Sequence, residues 1–188
     1  MMSLELVYYG HPALRIKGSL IENIDHHIIS LAQEMIQTMY DYDGCGLAAH
    51  QVGRSIRLAV IDVLTAMKDR PSRAWRDGEP VTIESITPLV LINPEIIPLG
   101  NKTSYDLEGC LSIPEVTAKV YRPARVKIRY QSLDGKRLEI EAEGLLARAA
   151  MHEVDHLNGI LFIDHLSPEE RQEHEIVLKK LQQTQQLL

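Results

Sequence analysis

The residues whose types and spacing most directly describe a reaction centre are His152-Glu153-Val154-Asp155-His156. On an α-helix, positions 152 and 156 stand about one turn apart on one face, so both imidazoles can reach a single ion. Glu153, the next residue along, is placed to hold a water beside it. The rival reading is an exposed charged helix with incidental histidines. It fits badly, because Leu145, Leu146, Ala149, Ala150, Met151, Val154 and Leu157 leave little of the helix for solvent. Buried ionisable groups are costly without partners, and a divalent cation supplies one.

Two imidazoles need a third protein ligand if a fourth position is to be left for water. Cys110, within Glu108-Gly109-Cys110-Leu111-Ser112, is the candidate. Its thiolate would be a soft donor and Gly109 permits close backbone approach; the alternative is a plain buried thiol. One thiolate and two neutral imidazoles leave a divalent ion one residual positive charge, enough to acidify water towards neutrality, so hydrolysis is the natural reaction class. Attack on a carbonyl creates an oxyanion that needs preset donors. Gly44-Cys45-Gly46-Leu47-Ala48-Ala49-His50-Gln51, a glycine-spaced run ending in an amide, either supplies one or is a simple helix-to-strand turn.

The elements that must position these groups are read from periodicity. Ile28, Leu31, Ala32, Met35, Ile36 and Met39 recur at helical steps between Asp25 and Tyr40, and Gly44 ends the pattern. Arg57 to Val63 and Leu89 to Ile92 read as buried strands, with Asn93-Pro94 closing the second. The intervening residues 64–88 hold Pro71, Gly78, Pro80 and Pro88 and are expected to form a long surface loop. Val126, Ile128 and Tyr130 alternate, as do Leu138, Ile140 and Ala142, around an Asp134-Gly135 hairpin turn. Leu145 to Leu157 turns helical and mostly apolar all round, as a helix buried in a domain centre does, and Gly159 is placed to stop it. Ser167-Pro168-Glu169-Glu170 opens a last helix, 167–188, with Ile176, Val177 and Leu181 on its apolar side.

The chain of 188 residues is 45% hydrophobic and 24% charged, a globular composition that fits one catalytic domain over 1–188. Twenty basic against twenty-six acidic residues give a net charge of -6, which argues against duplex DNA as a ligand. Aromatics at 5% cannot build a stacking platform for single-stranded bases. No window approaches the roughly 18 apolar residues of a membrane span, and no basic-flanked export signal is seen at the start, so a soluble cytoplasmic protein is expected. In that setting Cys45 and Cys110 are thiols or metal ligands rather than a disulfide.

Taken together, the three segments resemble the peptide deformylases, whose hallmarks GxGLAAxQ, EGCLS and HExDH occur here in order at Gly44–Gln51, Glu108–Ser112 and His152–His156. The likeness extends to His11–Arg15, Ile92-Asn93-Pro94 and Leu157–Asp164, so nearly the whole chain is covered. The resemblance implies an α+β fold of antiparallel β-sheets wrapped around a central helix that bears the HExxH motif, with an N-terminal and a C-terminal helix. It implies that Cys110, His152 and His156 hold one divalent metal ion, Fe2+ in the cell, with Zn2+ or Ni2+ able to substitute. Glu153 would be the general base, and the Gln51 side chain and the Leu111 N–H would hold the oxyanion. Cys45, Leu145 and Ala149 would border the methionine pocket, and Gly44, Gly46, Glu108 and Gly109 would shape the substrate site. The implied substrate is a nascent polypeptide beginning with N-formylmethionine, released with formate; the C-terminal helix, with Lys179 and Lys180, either docks near the ribosomal peptide exit, as resemblance to bacterial members suggests, or is a solvated terminal helix, the reading favoured here.

Departures from the family pattern are Met151, where glutamine is common, His50, where proline or a small residue is common, and the longer 64–88 connection. His50 is not read as a fourth ligand, because Gln51 fills the matched role. Asp155 is expected to pair with Arg122 and steady the helix. The rival readings are an HExxH endopeptidase, which needs a further His or Glu ligand, and a non-enzymatic metal-holding protein, which would need no Glu153.

Overall fold

The structure is a computed structural model that describes residues 3–186. Its first long element, α1 (His26–Asp41), begins where the Asp25 carboxylate accepts hydrogen bonds from the amides of His27 and Ile28. Ala32, Met35 and Met39 form its buried face, on the periodicity expected.

Seven strands form one antiparallel sheet: β1 (Gly46–Ala48), β2 (Leu58–Ile61), β3 (Ser72–Arg76), β4 (Glu79–Val81), β5 (Leu89–Pro98), β8 (Arg125–Gln131) and β9 (Arg137–Gly144). Their order is β1-β2-β5-β8-β9-β3-β4. Between β5 and β8 the chain makes a separate two-stranded ribbon, β6 (Thr103–Cys110) with β7 (Ile113–Pro123). Helix α2 (Leu145–Leu157) follows β9 directly and packs against the sheet, including β1, β2, β5 and β9. Every residue of α2 except Asp155 is buried, the ionisable Arg148, His152, Glu153 and His156 together with the apolar ones.

Strand β2 shows why some strands read as unbroken apolar runs. Ala59 and Ile61 face the α2 core, while Leu58 and Val60 face the core under α1. A strand buried on both sides loses the period-two signal. A third core, built on Leu14, Ile113, Val120, Phe162 and Leu178, joins the ribbon to the last helix, α4 (Glu175–Gln186); the short helix before it, α3 (Pro168–Glu173), buries no residue.

Three expectations are corrected. Residues 64–88 are not one long loop: they contain β3 and β4, which extend the sheet beyond β9. Their apolar signal is weak because Trp75 lies under the Arg125 guanidinium, 4.2 Å from the ring centre, and only Ala74 among the β3 residues is buried. This segment also caps the central helix, with Ser72 Oγ accepting from the Leu146 amide at 2.9 Å. Next, β5 continues to Pro98 through a bulge at Asn93-Pro94 instead of stopping there. Asn93, at φ 50, bridges the Ile21 main chain and Gln131 with its side-chain amide, which replaces the interrupted ladder.

Finally, the C-terminal helix is two helices broken at His174. Ser167 and Glu170 do form the expected capping box. Val177 and Leu181 pack inward together with Leu178, but Ile176 is 85% exposed. Residues 187 and 188 of the expected helix lie outside the described residues.

Candidate metal centre

Cys110 ends β6 where the ribbon shifts register between Gly109 and Cys110. Bulges of this kind re-aim a side chain, and here the sulfur meets α2: Cys110 Sγ is 3.2 Å from His156 Nε2. The ligand atoms of Cys110, His152 and His156 all lie within 4.8 Å of one another. Bonds of about 2.0–2.1 Å to nitrogen and 2.3 Å to sulfur in a tetrahedron would set donors roughly 3.3–3.6 Å apart, a spacing that this set brackets. Among the described residues no fourth His, Cys, Asp or Glu joins the group. The residues present therefore fit a divalent ion with one position left for water or substrate.

The imidazoles are oriented for this. His152 Nδ1 lies 3.0 Å from Glu108 Oε2, which leaves Nε2 for the centre. Burial opposes the charged form of His152, but hydrogen bonds with Cys110 and Glu108 outweigh it and raise its pKa well above the usual imidazole value. Burial, followed by the nearby charge of His152, pushes His156 well below that value, as a neutral nitrogen donor needs.

Glu108 is the hub behind the centre. It is buried beside two buried arginines: Arg122 donates from Nε and Nη2 at 2.9 and 3.0 Å, and Arg148 donates from Nη1 at 2.7 Å. Burial would raise its pKa, but hydrogen bonds from His152 and Arg122 hold it well below the ordinary carboxylate range. Although Glu108 lines the cavity, its oxygens are engaged by these partners, so its side chain holds His152 and the two arginines. Arg122 Nη1 also donates to Asp155 Oδ2 at 2.5 Å, the pairing expected from sequence, and His165 Nε2 meets the same oxygen at 2.7 Å.

In front of the centre is a cavity of about 330 Å3. Gly44, Cys45, Gly46, Gln51, Glu108, Gly109, Cys110, Leu111, Leu145, Ala149, His152 and Glu153 all border it, so the predicted residues are brought together, with His156 buried just behind. Gln51 has a fixed orientation, its Oε1 accepting from the Ala48 amide at 2.8 Å and its Nε2 facing Cys110 Sγ at 3.5 Å. Glu153 Oε2 has no partner, and burial raises this carboxyl's pKa to about 7. Gly46 explains how that carboxylate fits: a Cβ there would collide with Glu153 Oε1.

His50 does not approach as a ligand; its Nε2 lies 3.0 Å from the Ile16 carbonyl. Met151 is buried in the sheet core and makes no polar contact. Sequence reasoning missed Arg148 and Arg70. Arg148 had a signal, since it stands four residues before His152 on an otherwise apolar stretch. Arg70 had none.

A thiolate and two imidazoles around one point, with an unpaired carboxylate and an oriented amide at its open side, define a metal-dependent hydrolase acting on a carbonyl compound. Residues 3–172 match the family described as polypeptide deformylase. The chain is 45% identical over 175 residues to a peptide deformylase of Agrobacterium fabrum (strain C58), covering 93% of this chain and 92% of the relative. Its structure is similar to a peptide deformylase from Legionella pneumophila, with TM-score 0.78, 35% identity and 98% of each chain covered. One from Synechococcus elongatus gives TM-score 0.77 at 38% identity, covering 94% of this chain and 85% of that one. The chain belongs to the polypeptide deformylase family, enzymes that remove the formyl group from the N-terminal methionine of polypeptides.

Proposed function

We propose that Cys110, His152 and His156 hold a divalent ion, Fe2+ in the cell with Zn2+ or Ni2+ able to substitute, and that the groups around it hydrolyse the formyl amide of nascent formylmethionyl chains. The observation that carries this reading is the convergence of the three ligands with an unpartnered Glu153 oxygen on one cavity. A bound ion supplies Lewis acidity, acidifying water and polarising the formyl carbonyl. Glu153 takes the proton from the attacking water as its oxygen bonds to the formyl carbon. Gln51 Nε2 and the Leu111 N–H hold the oxyanion that forms. When the C–N bond breaks, Glu153 returns the proton to the leaving nitrogen, and formate and a free amino terminus result.

The methionine side chain is received by Cys45, Leu145 and Ala149, with Gly44 and Gly109 keeping the walls low enough for a main chain to enter. A formyl carbon bears only hydrogen, so the crowded site admits it and excludes an acetyl methyl group. Acetyl-Met-Ala-Ser is therefore expected to be cleaved at least 100-fold more slowly than formyl-Met-Ala-Ser, read as formate or acetate released per unit time; this is a loss of about 2.7 kcal/mol of transition-state stabilisation. Equal rates would overturn the filter. Chelation is expected to abolish formate release, and metal analysis of anaerobically purified protein beside activity identifies the ion.

Among the described residues no helix is long and apolar enough to cross a membrane. The reading places the reaction in the cytoplasm, where chains are made. The exposed Ile176 and Lys180 on α4 support docking of that helix at the ribosome.

Gly46→Ala tests the fit of Glu153. Displacing that carboxylate by about an ångström is expected to lower kcat about 100-fold while bound metal stays at the parental level. Loss of metal together with rate would instead mean that Gly46 supports the ligands.

A further inference from the structure

The connection between β2 and β3 reaches the substrate cavity through one cation, Arg70, whose side chain is 34% exposed. Its guanidinium is pinned against β6: Nε and Nη2 both donate to Asp106 Oδ2, at 3.2 and 2.7 Å, and Nη2 also donates to the Leu107 carbonyl at 2.9 Å. These contacts fix the plane of the fork three to four residues before Cys110. Nη1 makes no hydrogen bond to any described residue, so two N–H donors of an oriented fork remain for a ligand.

The charges nearby decide what kind of acceptor fits. Asp106 already offsets the positive charge of Arg70. Asp43 and Glu115 border the same cavity, are exposed, and have no ion-pair partner among the described residues. An anionic group entering this cavity would meet these two unpaired carboxylates as well as the guanidinium, the other arginine on the cavity, Arg148, being already held by Glu108, whereas a neutral carbonyl oxygen gains the Nη1 donor without that repulsion. The apolar wall at Leu145 and Ala149 takes the first side chain, so what passes the rim is the rest of the polypeptide, whose recurring acceptor is its main-chain carbonyl.

We propose that Arg70 is a substrate-binding residue that donates from Nη1 to a main-chain carbonyl of the polypeptide beyond its first residue, so that affinity rises with chain length and not with sequence. The inference rests on the deformylase reading. It also gives residues 64–71 a role at the site, in addition to the sheet and capping roles of β3.

Two substrates separate the possibilities: N-formylmethioninamide, which has no second residue, and formyl-Met-Ala-Ser. For Arg70→Ala, KM for the tripeptide is expected to rise about tenfold with kcat within twofold of the parent, as loss of uniform binding requires, while both constants for the amide stay unchanged. Arg70→Lys, which keeps the charge but loses the fork, is expected to fall between the two, and it carries the same comparison if Arg70→Ala does not fold. An equal rise of KM on both substrates, a fall of kcat on both, or no change at all would overturn the proposal; a fall of kcat on both would show that Arg70 acts through β6. A parent protein inactive on both substrates would sink the deformylase reading itself.

Discussion

Glu153→Ala is expected to lower kcat for formyl-Met-Ala-Ser by about 10^3-fold or more, near the upper end of what one general acid–base group contributes. Bound metal is expected to remain at the parental level. The two effects separate because Glu153 is not among the three ligands and its Oε2 touches no other polar group. For the same reason the variant should melt no lower than the parent. A buried carboxyl whose pKa is raised to about 7 by its surroundings is a group the fold tolerates for function, not one that holds it together. Turnover within tenfold of the parent would remove Glu153 from the proton pathway. A parallel loss of metal and rate would make it a support for the centre instead.

The candidate ligands were legible in the sequence because a helix converts spacing into geometry. His152 and His156 could be placed on one face without knowing anything else, and the apolar residues around the motif, Leu145 to Met151 above all, announced a buried helix. Cys110 carried a weaker signal. Nothing local says that β7 loops out at residues 114–116 opposite Gly109 and Cys110, and the meeting of Cys110 with α2 is a contact across 46 positions of chain. Gln51 and Leu111 were assigned by resemblance, and both border the cavity.

What stayed hidden was hidden for physical reasons. The β3–β4 hairpin has little apolar alternation because its one large ring is covered by arginine on the outer face of the sheet. Its turn did carry a mark: Asp77-Gly78, at φ 52 and 82, is the same dipeptide used to place the Asp134-Gly135 turn. The prolines around it pointed to a loop, yet Pro80 lies on β4, an edge strand, where a missing amide costs no internal hydrogen bond. Ile176 was misplaced because the packed face of α4 centres on Val177, Leu178 and Leu181, and at 3.6 residues per turn Ile176 points roughly opposite Leu178.

Replacing Glu108 is expected to have the largest effect on the protein as a whole, because one carboxylate offsets two buried guanidiniums and also orients a ligand. Arg122 and Arg148 are 4% exposed and lie beside Glu108 and His152. Taking away the shared anion leaves buried charge uncompensated, which in other proteins costs about 3–5 kcal/mol. Asp155 continues to hold Arg122, and main-chain carbonyls of Ser104 and Val120 continue to hold Arg148, so the loss is expected at the lower end of that range. His152 loses the acceptor that fixes its ring, and metal affinity should fall about 10- to 100-fold. Glu108→Gln separates the two consequences. The amide fills the same space and its oxygen can still accept, but the charge is gone, so it should lose most of the stability while retaining more metal affinity than Glu108→Ala. The measurements are denaturant midpoints of the metal-free proteins and competitive metal titrations. If Glu108→Ala unfolds at the parental midpoint, the two arginines are not relying on it. If it binds metal as tightly as the parent, the hydrogen bond behind His152 does not position the ligand.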